Sequence, residues 1–345
     1  MLEYFRWKES QRKSDTQEDE YFKQLRLEKQ EIRKEKQKLF DERTALTKVL
    51  REQSRKESLI DIVKNAIDNY HSEKFEYSYS PTIDSDNDLI IHITDVHCGV
   101  DIESLFNTFN VEVLKKRLSK YLDEVLDIQN TYNSKNAYCI LGGDLIQGII
   151  HVNARIEAKE NVVDQVMLVS DIIGNFINEL RHKFENVFIY TTPGNHGRVN
   201  ANKEENAKGE NFDFLVPYVL KKDFKNVDNV FVVDNTLDDY IATFEVRGHQ
   251  VFASHGDKDT PKNVVWNMTK LARKANVKLP DIIYLGHRHT NGLTTVDDVK
   301  VIESGCVDGM DNYSIDHRFV GTPEQTITVV TENRRIKALC DIPLD

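Results

Sequence analysis

The chain lacks any run of apolar residues approaching the about 18 needed to cross a bilayer. Its first residues, Met1-Leu2-Glu3-Tyr4-Phe5-Arg6-Trp7-Lys8, hold no apolar core of the signal-peptide kind. A membrane span is thereby excluded, and a cytoplasmic location is the expectation. Cysteine is scarce: Cys98, Cys139, Cys306 and Cys340 form no close pair. That excludes a disulfide framework and a zinc knuckle. Gly and Pro are absent from residues 1–70, so that segment has no turn signal. Positive charge is also short, with 46 Lys and Arg against 57 Asp and Glu and a net charge of −11. The deficit is uneven. Residues 1–80 hold 18 bases against 17 acids, which leaves 28 against 40 for the remainder. A remainder so acidic argues against a broad nucleic-acid groove.

What is present divides into two textures. Residues 1–75, rich in Glu, Lys, Arg, Gln and Leu, read as a charged helical extension. Leu25, Ile32, Leu39 and Leu46 recur every seven residues, with Phe22 and Leu50 on the adjoining stripe. Lys29, Lys36 and Arg43 interrupt the second apolar column. A seam this narrow asks for a cover: the chain's own domain, a protein partner, or a second copy paired through residues 20–55. Residues 76–87 read as a linker, and 88–345 as one folded domain.

From Asp88 the pattern alternates. Leu89–Thr94 is a short buried strand, Asn110 caps a helix running to about Tyr132, and Ala137–Leu141 is the next strand. An apolar helix follows over about Asn161–Phe184, then a strand over Val187–Thr192. This is a mostly parallel sheet with crossover helices. Later come a hairpin over 240–254, a helix opening at Pro261, a strand at Ile282–Leu285, and hairpins near 293–303 and 325–340. Two such halves predict an α/β fold of two sheets packed face to face, helices outside and a cleft at one edge.

Each strand of this pattern ends in a chemical group. The chain carries Asp95-x-His97, Gly142-Gly143-Asp144, Gly194-Asn195-His196, His255, and Gly286-His287-Arg288-His289. Asp95, His97, Asp144, Asn195, His255, His287 and His289 are the O and N donors that hard or borderline divalent cations take. Asp-x-His after a strand puts both side chains on one face, and glycines let a carboxylate approach closely. Any one cluster alone is weak. Five, each at a strand end, point to a two-metal site. His92, mid-strand among Ile residues, reads as a hydrogen-bonded core histidine.

The series resembles the calcineurin-like metallophosphoesterase superfamily, and within it the repair-exonuclease type, over roughly residues 88–290. The resemblance implies a two-sheet α/β/β/α sandwich carrying an N-terminal helical extension. It implies that Asp95, His97, Asp144 and His289 hold one metal. Asp144 would bridge to a second, held also by Asn195, His255 and His287, while His196 faces the phosphate and its leaving oxygen. The cofactors are then two divalent ions, Mn²⁺ first, with Fe or Zn²⁺ as alternatives. The reaction implied is in-line attack on phosphorus by a hydroxide shared between them. Two places depart from the pattern. Gly197 and Arg198 follow the histidine where an acid is common, and Gln147 stands where some members carry an Asp, so His196 has no evident carboxylate partner. Arg198 offers a fork for phosphate instead; His151, with Arg155, is a weaker candidate of that kind. The favoured substrate is a phosphodiester in DNA, RNA or a nucleotide. Alternatives are a phosphomonoester on protein or metabolite, and a non-catalytic scaffold working through the N-terminal helix.

Overall fold

The computed structural model describes residues 1–8, 29–43, 46, 61, 63, 65, 67, 75, 81–150, 158–310, 314, 318 and 321–345. By internal contacts the chain divides into two compact units, Met1–Asn65 and Ala66–Asp345. In the first, residues 2–8 and 29–43 are helical. Ile32, Leu39 and Leu46 of the seven-residue seam lie exposed; Phe22, Leu25 and Leu50 fall outside the described residues. No described helix is long and apolar enough to cross a membrane.

The second unit runs β1 (Asn87–Ile93), β2 (Ile102–Glu103), β3 (Thr108–Phe109), α1 (Val111–Tyr132), β4 (Asn136–Leu141), α2 (Val162–Leu180) and β5 (Asn186–Thr191). It continues with α3 (Leu215–Asp223), β6 (Val230–Val232), β7 (Ala242–Val246), β8 (His249–Ser254), α4 (Pro261–Ala275) and β9 (Ile282–Leu285). The last strands are β10 (Gly292–Val296), β11 (Val299–Glu303), β12 (Glu324–Thr331) and β13 (Arg334–Pro343). One sheet has the order β13-β12-β1-β4-β5-β6, the other β10-β11-β9-β8-β7. Strands β1, β4, β5 and β6 run parallel, as do β8, β9 and β11.

Helix starts follow the caps in the sequence. Asn110 and Asn161 each accept two backbone N–H groups at the starts of α1 and α2, and Thr260 forms a capping box before Pro261 at α4. The two sheets meet through Ile90, Ile140, Tyr190 and Val330 on one side, and Phe244, Val251, Tyr284 and Ile302 on the other. Tyr190 stacks on Phe244 at 3.9 Å between centroids, and the Tyr284 hydroxyl donates to Thr328. Val264, Val265, Met268 and Ala272 lay α4 on the outer face of the second sheet, each larger side chain contributing roughly 1.5–3 kcal/mol of apolar burial. On the first sheet, α1 places Tyr121 against α2's Phe176 and donates its hydroxyl to the carbonyls of His92 and Thr326. The expected α/β/β/α sandwich is therefore present.

His92 departs from expectation. It is fully buried between the sheets, edge-on to Tyr284, but neither ring nitrogen has a hydrogen-bond partner among the described residues. Burial pushes its pKa down to about 3, so the ring stays neutral.

Candidate metal centre

Parallel pairing decides where the site lies. Strands running the same way present their carboxyl ends at one edge, where α/β sheets place their clefts. β1, β4 and β5 there release Asp95 and His97, Asp144, and Asn195 and His196; β8 and β9 release His255, and His287 and His289. The loops are laced by main-chain bonds: the Asp95 N–H donates to the Gly143 carbonyl (3.0 Å), those of Val96 and His97 to the Asp144 carbonyl, and that of Gly286 to the His255 carbonyl (2.9 Å). Two glycines permit the approach. A Cβ on Gly194 would sit 2.1 Å from the Asp144 nitrogen, and one on Gly143 2.6 Å from the Gly194 nitrogen. Asp95, His97, Asp144, His287 and His289 all hold positive φ (51°, 47°, 49°, 70° and 55°). Left-handed backbone costs a non-glycine residue of order 1 kcal/mol, and here it falls on five of the donors that sequence patterning singled out.

The donors gather in two groups joined by Asp144. In the first, Asp95 Oδ1 lies 3.2 Å from His289 Nε2 and 4.0 Å from His97 Nε2, and the two Nε2 atoms are 3.4 Å apart. In the second, His255 Nε2 lies 3.0 Å from Asp144 Oδ2 and 3.2 Å from Asn195 Oδ1; His287 offers a ligand atom within 4.8 Å of those of Asp144 and His255. Between them, His97, Asp144 and His196 offer atoms within 4.8 Å of one another. Asp95, His97, Asp144 and His255 form a buried floor. Asn195, His196 and His289 are half-buried and His287 exposed, so the site opens on that side.

Each floor histidine is aimed from behind. His97 Nδ1 donates to Gln147 Oε1 (3.0 Å) and His255 Nδ1 to the Gly142 carbonyl (2.9 Å). Those acceptors fix the proton on Nδ1 and turn the Nε2 lone pair inward, the form in which histidine ligates metal. Burial, then the charge of His196, pushes the His97 pKa down to about 3, keeping it neutral. Burial would raise the carboxyls of Asp95 and Asp144, yet His255 and its neighbours outweigh it and hold both well below the usual range. Burial opposes charge on His255, but Asp144 and then Asp95 raise it to about 10. Inward-facing lone pairs around two buried carboxylates thus call for positive charge. A proton on His255 answers that call in part, and divalent cations answer it better by displacing that proton. The residues fit such ions.

Four residues beyond the sequence reading shape the site. Asp213 Oδ2 accepts from the N–H groups of Asp144 (3.0 Å) and Gly194 (2.8 Å), clamping two ligand loops together. Burial, then Asp144, pushes its pKa up to about 7. Asn211 donates to the Gly194 carbonyl and accepts from the Asp213 N–H. Cys306 and Asp308 lie on the Nδ1 side of His289, with Asp308 Oδ1 4.0 Å from that atom. Burial, then Asp308, lifts the Cys306 pKa to about 12, so it stays a thiol. Asn211 and Asp213 follow no strand and repeat no motif, and no sequence signal marks them.

His196 rests its ring 4.5 Å from that of His97 and donates from Nδ1 to the Gln147 carbonyl (3.1 Å). A main-chain oxygen thus occupies the place of a carboxylate, while the Gln147 side chain serves His97. Arg198 donates from Nε to the Asn195 carbonyl (2.9 Å), and its buried Nη1 has no acceptor among the described residues. His151 and Arg155 lie outside the described residues.

No protein-family profile matches the chain. It is 24% identical, over 321 residues, to the SPbeta prophage-derived uncharacterized protein YonJ of Bacillus subtilis, covering 89% of this chain and 76% of that one. Among solved structures it is similar to a novel archaeal phosphodiesterase (16% identity, 74% of this chain and 99% of the other, TM-score 0.36). It is also similar to Vacuolar Protein Sorting 29 of Cryptosporidium parvum (13%, 74% and 98%, TM-score 0.34) and to hypothetical protein PH1004 of Pyrococcus horikoshii (8%, 74% and 87%, TM-score 0.38). At scores this low the likeness says nothing of activity.

Proposed function

We propose that the chain is a metal-dependent phosphoric ester hydrolase of the calcineurin-like kind, cleaving phosphodiester bonds in nucleic acid or nucleotides. The observation that carries this reading is the convergence of Asp95, His97, Asn195, His255, His287 and His289 near Asp144, which groups with His255 and His287 on one side and with His97 on the other. Two divalent cations held there would acidify a water and neutralise phosphoryl oxygens. Mn²⁺ is the first choice, and Fe or Zn²⁺ suit the same donors.

The chain's own residues supply the rest. Asn195 turns Oδ1 toward His255, which leaves its amide N–H groups to donate to a phosphoryl oxygen. Arg198 Nη1, buried and lacking an acceptor, would take a second oxygen. His196, its Nδ1 turned to the Gln147 carbonyl, would give a proton to the departing oxygen, work worth about 10²–10⁴-fold. The test is hydrolysis of bis-p-nitrophenyl phosphate and p-nitrophenyl phosphate with Mn²⁺, Zn²⁺ or Fe²⁺. Diester turnover is expected. Monoester turnover alone would replace the diester reading, and no turnover with any of these ions would end the hydrolase reading.

A further inference from the structure

The acidic balance of residues 81–345 conceals one segment of the opposite sign. No Asp or Glu occurs between Asp259 and Asp281, a stretch that holds Lys262, Lys270, Arg273, Lys274 and Lys278. It is helix α4 and its exit. One face of α4 is spent on the core through Val264, Val265, Met268 and Ala272. The opposite face carries Lys262, Trp266, Lys270, Arg273 and Lys274, all exposed, with Trp266 62% accessible. At about 100° per residue these five fall within about 120° of arc. Lys270 Nζ sits 5.1 Å over the Trp266 ring. Lys278 pairs with Glu245, whereas no carboxylate pairs with Lys262, Lys270, Arg273 or Lys274 among the described residues. The stripe is tied to the metal centre. Arg288, between His287 and His289, donates to the Asp259 carbonyl at the helix entrance (2.9 Å), and only residues 256–260 separate His255 from α4.

We propose that this face of α4 is the docking track for a single-stranded polynucleotide whose phosphodiester is delivered to the metal centre. The proposal rests on the hydrolase reading for the fate of the strand, and on α4 alone for its binding. Unpaired cations track a phosphate backbone and release its counterions, while an exposed indole offers a base a surface to stack on. Lys262 to Lys274 spans about 18 Å of helix axis, long enough to track several phosphates of a single strand. An anionic membrane surface is the competing occupant, but α4 has already committed its apolar face to the sheet.

The experiment measures binding of the Mn²⁺-loaded full chain to a fluorescein-labelled oligothymidylate of about twenty nucleotides across a salt series. A non-cleavable phosphorothioate backbone separates binding from turnover. Replacing Lys262, Lys270, Arg273 and Lys274 with Gln should weaken binding at least about tenfold and lower the salt slope by up to about 3, at about 0.7 per lost phosphate contact. Trp266→Ala, a single surface change, should weaken it about tenfold with the slope unchanged. Both variants should hydrolyse bis-p-nitrophenyl phosphate as the parent does. Unchanged oligonucleotide binding in both variants would overturn the proposal, as would a parent that binds phosphatidylserine vesicles but no oligonucleotide. A parent that binds through α4 yet hydrolyses no diester would uphold the track and remove the hydrolase.

Discussion

Asp95, His97, Asp144 and His255 are buried and set by hydrogen bonds from behind, whereas Asn195, His196, His287 and Arg198 stand where solvent reaches. The difference lies in what each set can tolerate. A floor carboxylate held far below its usual pKa gains from every positive neighbour, and removing it leaves His255 and the remaining donors without the charge that organises them. A rim group touches the floor through fewer bonds and faces the side from which a substrate arrives. Loss of a floor residue should therefore abolish ion binding, and loss of His196 or Arg198, the two rim groups outside the donor set, should spare it while slowing the chemistry.

The sharpest way to break that contrast is Asp144→Asn. Mn²⁺ affinity and diester turnover should fall together, each by at least about 10³-fold, beyond the about 10–100-fold typical of groups that only orient a ligand; calorimetric titration and initial rates measure both. His196→Ala comes next. It should keep Mn²⁺ affinity and lose about 10²–10⁴-fold in kcat, and a joint loss of metal would move His196 from rim to floor. Gln147→Leu tests the aiming of the floor itself. With Nδ1 of His97 deprived of its acceptor, Mn²⁺ should bind about 10–100-fold more weakly while the far-ultraviolet circular dichroism stays as it was.

Asp213 acts on stability rather than on the chemistry, and with the clearest sign. Its folded pKa of about 7 stands above the unfolded value near 3.8, so the folded chain retains a proton through that window which the unfolded chain has released. In metal-free protein, Asp213 therefore costs stability increasingly as pH rises from about 4 to 7. Asp213→Asn should gain on the parent by up to a few kcal/mol at pH 7 and differ least near pH 4, as denaturant titrations at several pH values would show. An advantage for the variant that shrinks with rising pH would refute the assigned environment of Asp213.

Much of this layout was legible in the letters because strand ends and ligands coincide. Leu89–Thr94, Ala137–Leu141 and Ile282–Leu285 are largely apolar runs bounded by glycine or a metal donor, and the strands found there match those limits to within two residues. Asn110 as a cap and Pro261 as a first helical position marked helix starts equally well. Three things were not legible, each for a physical reason. β12 returns from the end of the domain to pair antiparallel with β1, a long-range choice that no local pattern encodes. Asp213 acts on main-chain N–H groups of Asp144 and Gly194, and a partner chosen by backbone position leaves no residue pairing to read. The basic face of α4 vanished into a net charge of −11 because totals average over surfaces that a ligand meets one at a time.

The central claim, that Asp144 lies between two cations, is tested most directly by anomalous diffraction at the manganese edge from crystals soaked in Mn²⁺. Two peaks about 3.5–4 Å apart are predicted, one beside Asp95, His97 and His289 and one beside Asn195, His255 and His287, with Asp144 touching both. A single peak, or a peak seated instead on Cys306 and Asp308 behind His289, would contradict it.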